Sequence, residues 1–386
     1  MRTVSRKTAA LASGAIVAAG AIAAGAYVAV NNHQAQASPG KTGHHVAVKL
    51  APPPQPPRPP RPPQPLRLLS VTPADGSRGV DGAGNITVTF NEPLPATAAL
   101  PRLSPAVAGT WQREGDTAVF TPRTGVAAHT RVTVTVPAGD GSGRSGHKST
   151  FTTASYATLR LQELLAQLGY LPLTWTPDVG AAIPAGSAVA QLAAAYEPPP
   201  GTFSWQHGYP SELRSFWRQG SANLVDKGAI TGFEADHGML TDGVAGPAVW
   251  AALLKAAAAG QRNKHGYSYA IASQGSPETL TIWHDGHRVF SSPTNTGISA
   301  APTPVGTFPV YEKLPSQVMQ GTNPDGSHYA DPVQWVSYFS GGSAVHYISR
   351  WSYGWPQSLG CVELPYSAAE QAYPYLPYGT LVTVTP

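Results

Sequence analysis

The 386-residue chain contains one cysteine, Cys361. It stands in Ser358-Leu359-Gly360-Cys361-Val362-Glu363-Leu364, fifteen positions after the histidine of Val345-His346-Tyr347. A thiol reacts as its thiolate, so a cysteine nucleophile needs a neighbour that takes its proton. An imidazole does this near neutral pH and can hand the proton on to a leaving amine. A glycine just before the cysteine lets backbone N–H groups approach an oxyanion closely. Fifteen positions are enough for two neighbouring strands with a loop between them. Spacing alone leaves a second reading open, a small buried cysteine beside a core histidine.

Other candidates for chemistry are weaker. The loop Ser349-Arg350-Trp351-Ser352-Tyr353-Gly354-Trp355-Pro356 lies between His346 and Cys361. Its aromatic residues, Trp351 and Tyr353 among them, are expected to wall a peptide groove, and Arg350 is expected to meet a carboxylate. Ordinary loop packing is the alternative. His284-Asp285-Gly286-His287 has a metal-like spacing, but it offers two imidazoles where zinc sites take three or four protein ligands. No metal or cofactor is expected. A single cysteine also rules out an intramolecular disulfide, and in an exported chain it marks a reactive group or an intermolecular bridge.

The elements that would position these residues follow from composition and pattern. Charged residues make up 12% of the chain, about half the usual share, while 42% is hydrophobic. That excludes wholesale disorder. Residues 1–67 hold eight Lys or Arg and no Asp or Glu, so the remainder carries a small negative charge. Basic charge confined to an arm argues against nucleic acid as a partner. Arg2, Arg6 and Lys7 precede an apolar run over residues 8–30, followed by Ala35-Gln36-Ala37. Residues 1–37 therefore read as a secretory signal, or as a single membrane anchor because the run is long. Residues 38–67 are a Pro-rich linker, a semi-rigid polyproline II spacer.

Residues 68–154 alternate with period two between Gly/Pro/Asp turns, the pattern of a small all-β sandwich. Residues 155–260 read as helical. Leu159 to Tyr170 has apolar spacings of three and four, a second stretch is expected from Ser211 to His237, and Pro247 opens a third. Residues 174–220 form a long insertion. Residues 261–386 return to β pattern, with Asp285-Gly286 as a hairpin turn. The expected fold class is multidomain: sandwich, small α-helical domain, then a mainly β domain.

Three resemblances extend this reading. Thr72-Pro73-Ala74-Asp75-Gly76-Ser77 followed by Ile86 to Asn91 resembles bacterial Ig-like domains. The Leu-Gln…Leu-Gly-Tyr helix and the Asp242-Gly243-Val244-Ala245-Gly246-Pro247 turn resemble peptidoglycan-binding helical domains. Residues 265–386 resemble the L,D-transpeptidase (YkuD-like) catalytic domain through Thr303-Pro304, Gly306, Phe308, His346, Ser358, Gly360 and Cys361. The last resemblance implies Cys361 as nucleophile, His346 as base, and the Tyr347 carbonyl holding the imidazole tautomer. It also implies Gly360 and Cys361 N–H groups as the oxyanion hole and Ser358 as a support for the loop. The implied activity is cross-linking of peptidoglycan through a Cys thioester, with release of D-Ala from a tetrapeptide stem. Implied partners are stem peptides and glycan, in an extracytoplasmic setting. An L,D-carboxypeptidase and a non-catalytic wall-binding scaffold are the alternatives. A papain-like peptidase places Cys before His, the reverse of the order here. Leu359 and Glu363 depart from the family, which has His before the Gly-Cys pair and a polar or basic residue two positions after the Cys. Nothing in the sequence calls for an obligate partner, so a monomer is expected.

Overall fold

The structure is a computed structural model that describes residues 65–138, 146–184 and 186–386. The expected export segment and most of the Pro-rich linker lie outside the described residues. The described chain falls in one compact unit, Pro62–Pro386. Among the described residues, no helix is long and apolar enough to cross a membrane.

The first part is a β sandwich. One sheet has the order β1-β2-β5-β4, built from β1 (Leu68–Thr72), β2 (Ile86–Phe90), β4 (Gly109–Glu114) and β5 (Thr117–Pro122). The facing sheet is β3 (Arg102–Ser104), β6 (Arg131–Val136) and β7 (His147–Thr152). Alternate residues point inward, as period two requires. Ile86, Val88 and Phe90 of β2 meet Val132, Val134 and Phe151 in one core. The Ig-like expectation holds. The strands β3 and β4 were not legible, because β4 (Gly-Thr-Trp-Gln-Arg-Glu) is an edge strand with little to bury.

The helical part contains α1 (Thr158–Gln167), α2 (Ala188–Tyr196), α3 (Ser211–Ser215), α4 (Leu224–Asp236) and α5 (Pro247–Ala258). The expected helix from Ser211 to His237 is broken. It stops after one turn, passes Gly220 at φ 71°, and restarts where the Asn223 side chain accepts the Asp226 N–H at 3.0 Å. The insertion is also not structureless. It contains an antiparallel hairpin of β8 (Leu173–Pro177) and β9 (Gly201–Trp205), with α2 between the strands. Pro at the first position of α5 is at home, since that N–H has no helical partner.

The last part has two sheets. The first, in the order β12-β11-β10-β18-β13, comprises β10 (Ser268–Ser273), β11 (Thr279–His284), β12 (His287–Pro293), β13 (Gly306–Pro309) and β18 (Leu381–Thr385). Asp285 and Gly286 turn the β11–β12 hairpin, both at positive φ, as expected. The second sheet runs β14 (Glu312–Thr322), β15 (His328–Ser340), β16 (Ser343–Tyr347) and β17 (Val362–Leu364), and α6 (Tyr366–Ala372) follows. Period two divides each strand between two surroundings. On the first sheet, Tyr269 and Leu381 enter the core of the helical part, while Ala270 and Val382 face the second sheet. On the second sheet, Val345, Val362 and Leu364 point into that shared core. Their alternates, His346 and Glu363, therefore point away from it.

Candidate active site

Strands β16 and β17 pair in parallel, with Val345 opposite Val362 and His346 opposite Glu363. Cys361 precedes β17 by one residue, which sets it level with Ala344. The Ala344 N–H favours the thiolate form of that sulfur. His346 and Cys361 thus lie on the same side of neighbouring strands, two residues apart in register. Both line one cleft of about 370 Å³.

His346 is buried, 2% exposed. Its Nδ1 donates to the Tyr347 carbonyl at 3.0 Å, which leaves Nε2 as the acceptor nitrogen. That Nε2 is buried with no partner among the described residues. Burial lowers the His346 pKa below its usual value, and the Tyr347 carbonyl only partly offsets this. The ring is therefore neutral at pH 7. Burial also pushes the Cys361 thiol up to about 11; the Ala344 N–H works against that shift and the Glu363 charge adds to it. The resting pair is a thiol beside a neutral imidazole. The thiol donates weakly to the Gly342 carbonyl at 3.8 Å.

The loop before Cys361 is built around Ser358. Its hydroxyl donates to the Cys361 carbonyl at 2.6 Å and accepts the Gly360 N–H at 3.1 Å. The expected support role fits this geometry. The expected oxyanion role of Gly360 does not, because its N–H is already engaged. The Cys361 amide is the loop donor left beside the sulfur. Gly360 sits at φ 110°, where a side chain would be strained.

Two of the three expected groove residues take other positions. Trp351 is fully exposed and Tyr353 donates its hydroxyl to the Ile348 carbonyl at 2.6 Å; neither lines the cleft. Arg350 does line the cleft, but its carboxylate partner is internal. It grips Glu363 through two bonds, of 2.9 and 2.6 Å. Glu363 is 3% exposed and also accepts from the Asn295 amide at 3.3 Å. Glu363, a departure from the family in sequence, is thus a charge-paired component of the site wall.

Two parts of the site escaped sequence reading. The first is the β14–β15 hairpin, whose Gln317, Met319, Asp331 and Tyr338 line the cleft. The second is the buried run Thr294-Asn295-Thr296, which holds β17 from behind. Thr294 Oγ1 donates to the Glu363 carbonyl at 2.6 Å, and the Thr296 hydroxyl and N–H both bond the buried Glu278 carboxylate. Three consecutive small polar residues beside a hydrophobic strand were the available signal.

Comparison with known proteins follows the same division. Residues 268–384 match the family model of the L,D-transpeptidase catalytic domain, YkuD, and residues 62–153 match the bacterial Ig-like domain, Big_5. The chain therefore carries an L,D-transpeptidase catalytic domain behind a bacterial Ig-like domain. Among solved structures, it is similar to an L,D-transpeptidase from Mycobacterium smegmatis: 18% identity, 84% of this chain and 100% of that one, TM-score 0.29. L,D-transpeptidase 3 from Mycobacterium tuberculosis gives 16% identity over 83% and 98%, TM-score 0.29. The catalytic domain of the Enterococcus faecium L,D-transpeptidase gives 27% over 30% and 95%, TM-score 0.28. No curated protein sequence matches the chain.

Proposed function

We propose that this chain is an exported L,D-transpeptidase that cross-links peptidoglycan through a thioester on Cys361. The observation that carries the reading is the His346 imidazole. Its Nδ1 is fixed on the Tyr347 carbonyl, and its unpartnered Nε2 shares a cleft with the Cys361 thiol.

In this reading Nε2 takes the thiol proton as sulfur attacks the carbonyl of the third stem residue. Because the resting thiol is protonated, proton transfer accompanies attack rather than preceding it. The Cys361 N–H stabilises the developing oxyanion. The imidazolium then protonates the departing D-Ala amine, leaving a thioester and a neutral ring. An amine from a second stem attacks the thioester, and His346 takes its proton. Water in place of that amine gives the carboxypeptidase outcome. The Ig-like part and the Pro-rich linker act as a spacer that carries the catalytic domain into the wall, outside the cytoplasm.

The test is product formation from disaccharide-tetrapeptide by wild type, Cys361→Ala and His346→Ala. The reading predicts cross-linked dimer from wild type and loss of at least about a thousandfold in either variant, as for members of other catalytic units. Full cross-linking by Cys361→Ala would rule it out.

A further inference from the structure

The cleft holds one charge that nothing among the described residues answers. Asp331 lies on β15 opposite Met319 of β14, half-buried and lining the same cleft as His346 and Cys361. Among the described residues its carboxylate makes no hydrogen bond or ion pair. Asp331, His346 and Arg350 line this cleft together, and the Asp331 charge works to raise the pKa of both others. The other charged groups of the cleft, and the groups at its reacting end, are accounted for. Arg350 and Glu363 neutralise each other in a two-bond pair. His346 is neutral and Cys361 is a thiol. Tyr338 is uncharged and accepts a bond from the Gln317 amide. The cleft therefore carries one net negative charge beside the nucleophile.

At the reacting carbonyl the acyl donor does not call for that charge, since that carbonyl is neutral and the donor's own ammonium stands at the far end of its diamino side chain. The second substrate does call for it. An aliphatic amine has a pKa of about 10.4 and arrives as an ammonium ion. A half-buried carboxylate attracts such a cation more strongly than an exposed one would, because water screens it less.

We propose that Asp331 is the docking group for the acceptor amine, a positioning residue of the second half-reaction; this rests on the transpeptidase reading. The ammonium docks against Asp331 and releases one proton to solvent. The free amine attacks the thioester carbonyl, the C–N bond forms and the C–S bond breaks. The second amine proton passes to His346 Nε2, the sulfur leaves as thiolate, and His346 returns the proton to it. Placing the cation by the hairpin gives the amine an advantage over water at the same carbonyl.

The experiment uses the full chain, one disaccharide-tetrapeptide donor, and a diaminopimelate-containing tripeptide as the amine at varied concentration. Wild type, Asp331→Asn and Asp331→Glu are compared for acceptor KM, donor KM, and the ratio of cross-linked to hydrolysed product. Asp331→Asn should raise the acceptor KM about tenfold and shift the product ratio towards hydrolysis, with donor KM within about twofold. Asp331→Glu should recover most of the ratio. Added salt should raise the acceptor KM of wild type and leave that of Asp331→Asn nearly flat. Equal acceptor KM and product ratio in wild type and Asp331→Asn would overturn the assignment, as would equal losses in donor and acceptor steps. If the wild type itself forms no Cys361 adduct with the donor, the transpeptidase reading falls and this inference falls with it.

Discussion

At the residue scale, the site combines groups whose protonation is set by burial. In the proposed mechanism His346 must be neutral to accept the thiol proton, and burial lowers its pKa. Activity should therefore hold as pH falls through 6.5, the ordinary histidine value, and be lost only below it. A pH profile of donor kcat/KM checks this; an acid limb above 6.5 would contradict it. Arg350 and Glu363 make a second prediction. Arg350→Ala leaves the Glu363 carboxylate buried with one amide donor, and should destabilise the fold by about 3 kcal/mol. Arg350→Lys should recover only part of this, since an ammonium does not reproduce the two-bond fork. Chemical unfolding of both variants measures the difference. Cys361, His346 and Ser358 were legible from residue type and local motif. The Arg350–Glu363 pair was not, because its members are thirteen positions apart and only the β16–β17 pairing brings them together.

At the element scale, the β14–β15 hairpin was the largest omission. Its strands alternate exposed and half-buried positions, with Pro315 and Pro332 inside them. Such two-sided, polar strands give no period-two apolar signal. Trp335, φ 58°, sits where the register of β15 with β16 shifts between Gln334 and Ser337, while the pairing with β14 continues on both sides of it. The loop expected as a groove wall sends Arg350 into the cleft, tied to Glu363, and neither Trp351 nor Tyr353. Trp351→Ala should accordingly change donor KM by less than about twofold, whereas Met319→Ala, inside the cleft, should raise it more. Steady-state kinetics of the two variants discriminates the hairpin from the loop as the substrate wall. In the helical part, Asp226 at the start of α4 is buried, and burial raises its pKa to about 7 despite a 2.8 Å bond from Gln162. A carboxyl with a raised folded pKa binds more protons folded than unfolded between about pH 4 and 7. Stability should fall as pH rises through that window and level off above it. Asp226→Asn should flatten this slope in thermal unfolding followed from pH 4.5 to 8.

At the scale of the whole molecule, the three parts are joined by packing rather than strung on linkers. Tyr196 of α2 donates to the Val126 carbonyl of the sandwich at 2.8 Å, and the Tyr156 ring lies between Tyr196, which it meets edge-on, and Trp250, to which it is tilted. The first sheet of the last part contributes Tyr269 and Leu381, and the residue before β10 contributes Tyr267, to the core built by α1, α4 and α5. Each such side chain accounts for roughly 1.5–3 kcal/mol of burial. A fragment of residues 261–386 should therefore be insoluble or molten, while residues 155–386 fold; near-UV circular dichroism of the two distinguishes them. The order of the parts was legible because sandwich, helix and β patterns differ in period. The shared core was not, since the sequence does not say which face of β10 or β18 another part will cover.

The account stands or falls on the thioester. Intact mass spectrometry of the chain with a disaccharide-tetrapeptide tests it most directly. The prediction is an adduct on Cys361 equal to the donor less D-Ala, absent from Cys361→Ala and chased away by added amine. Folded wild-type protein that acquires no adduct, or an adduct mapped away from Cys361, would contradict it.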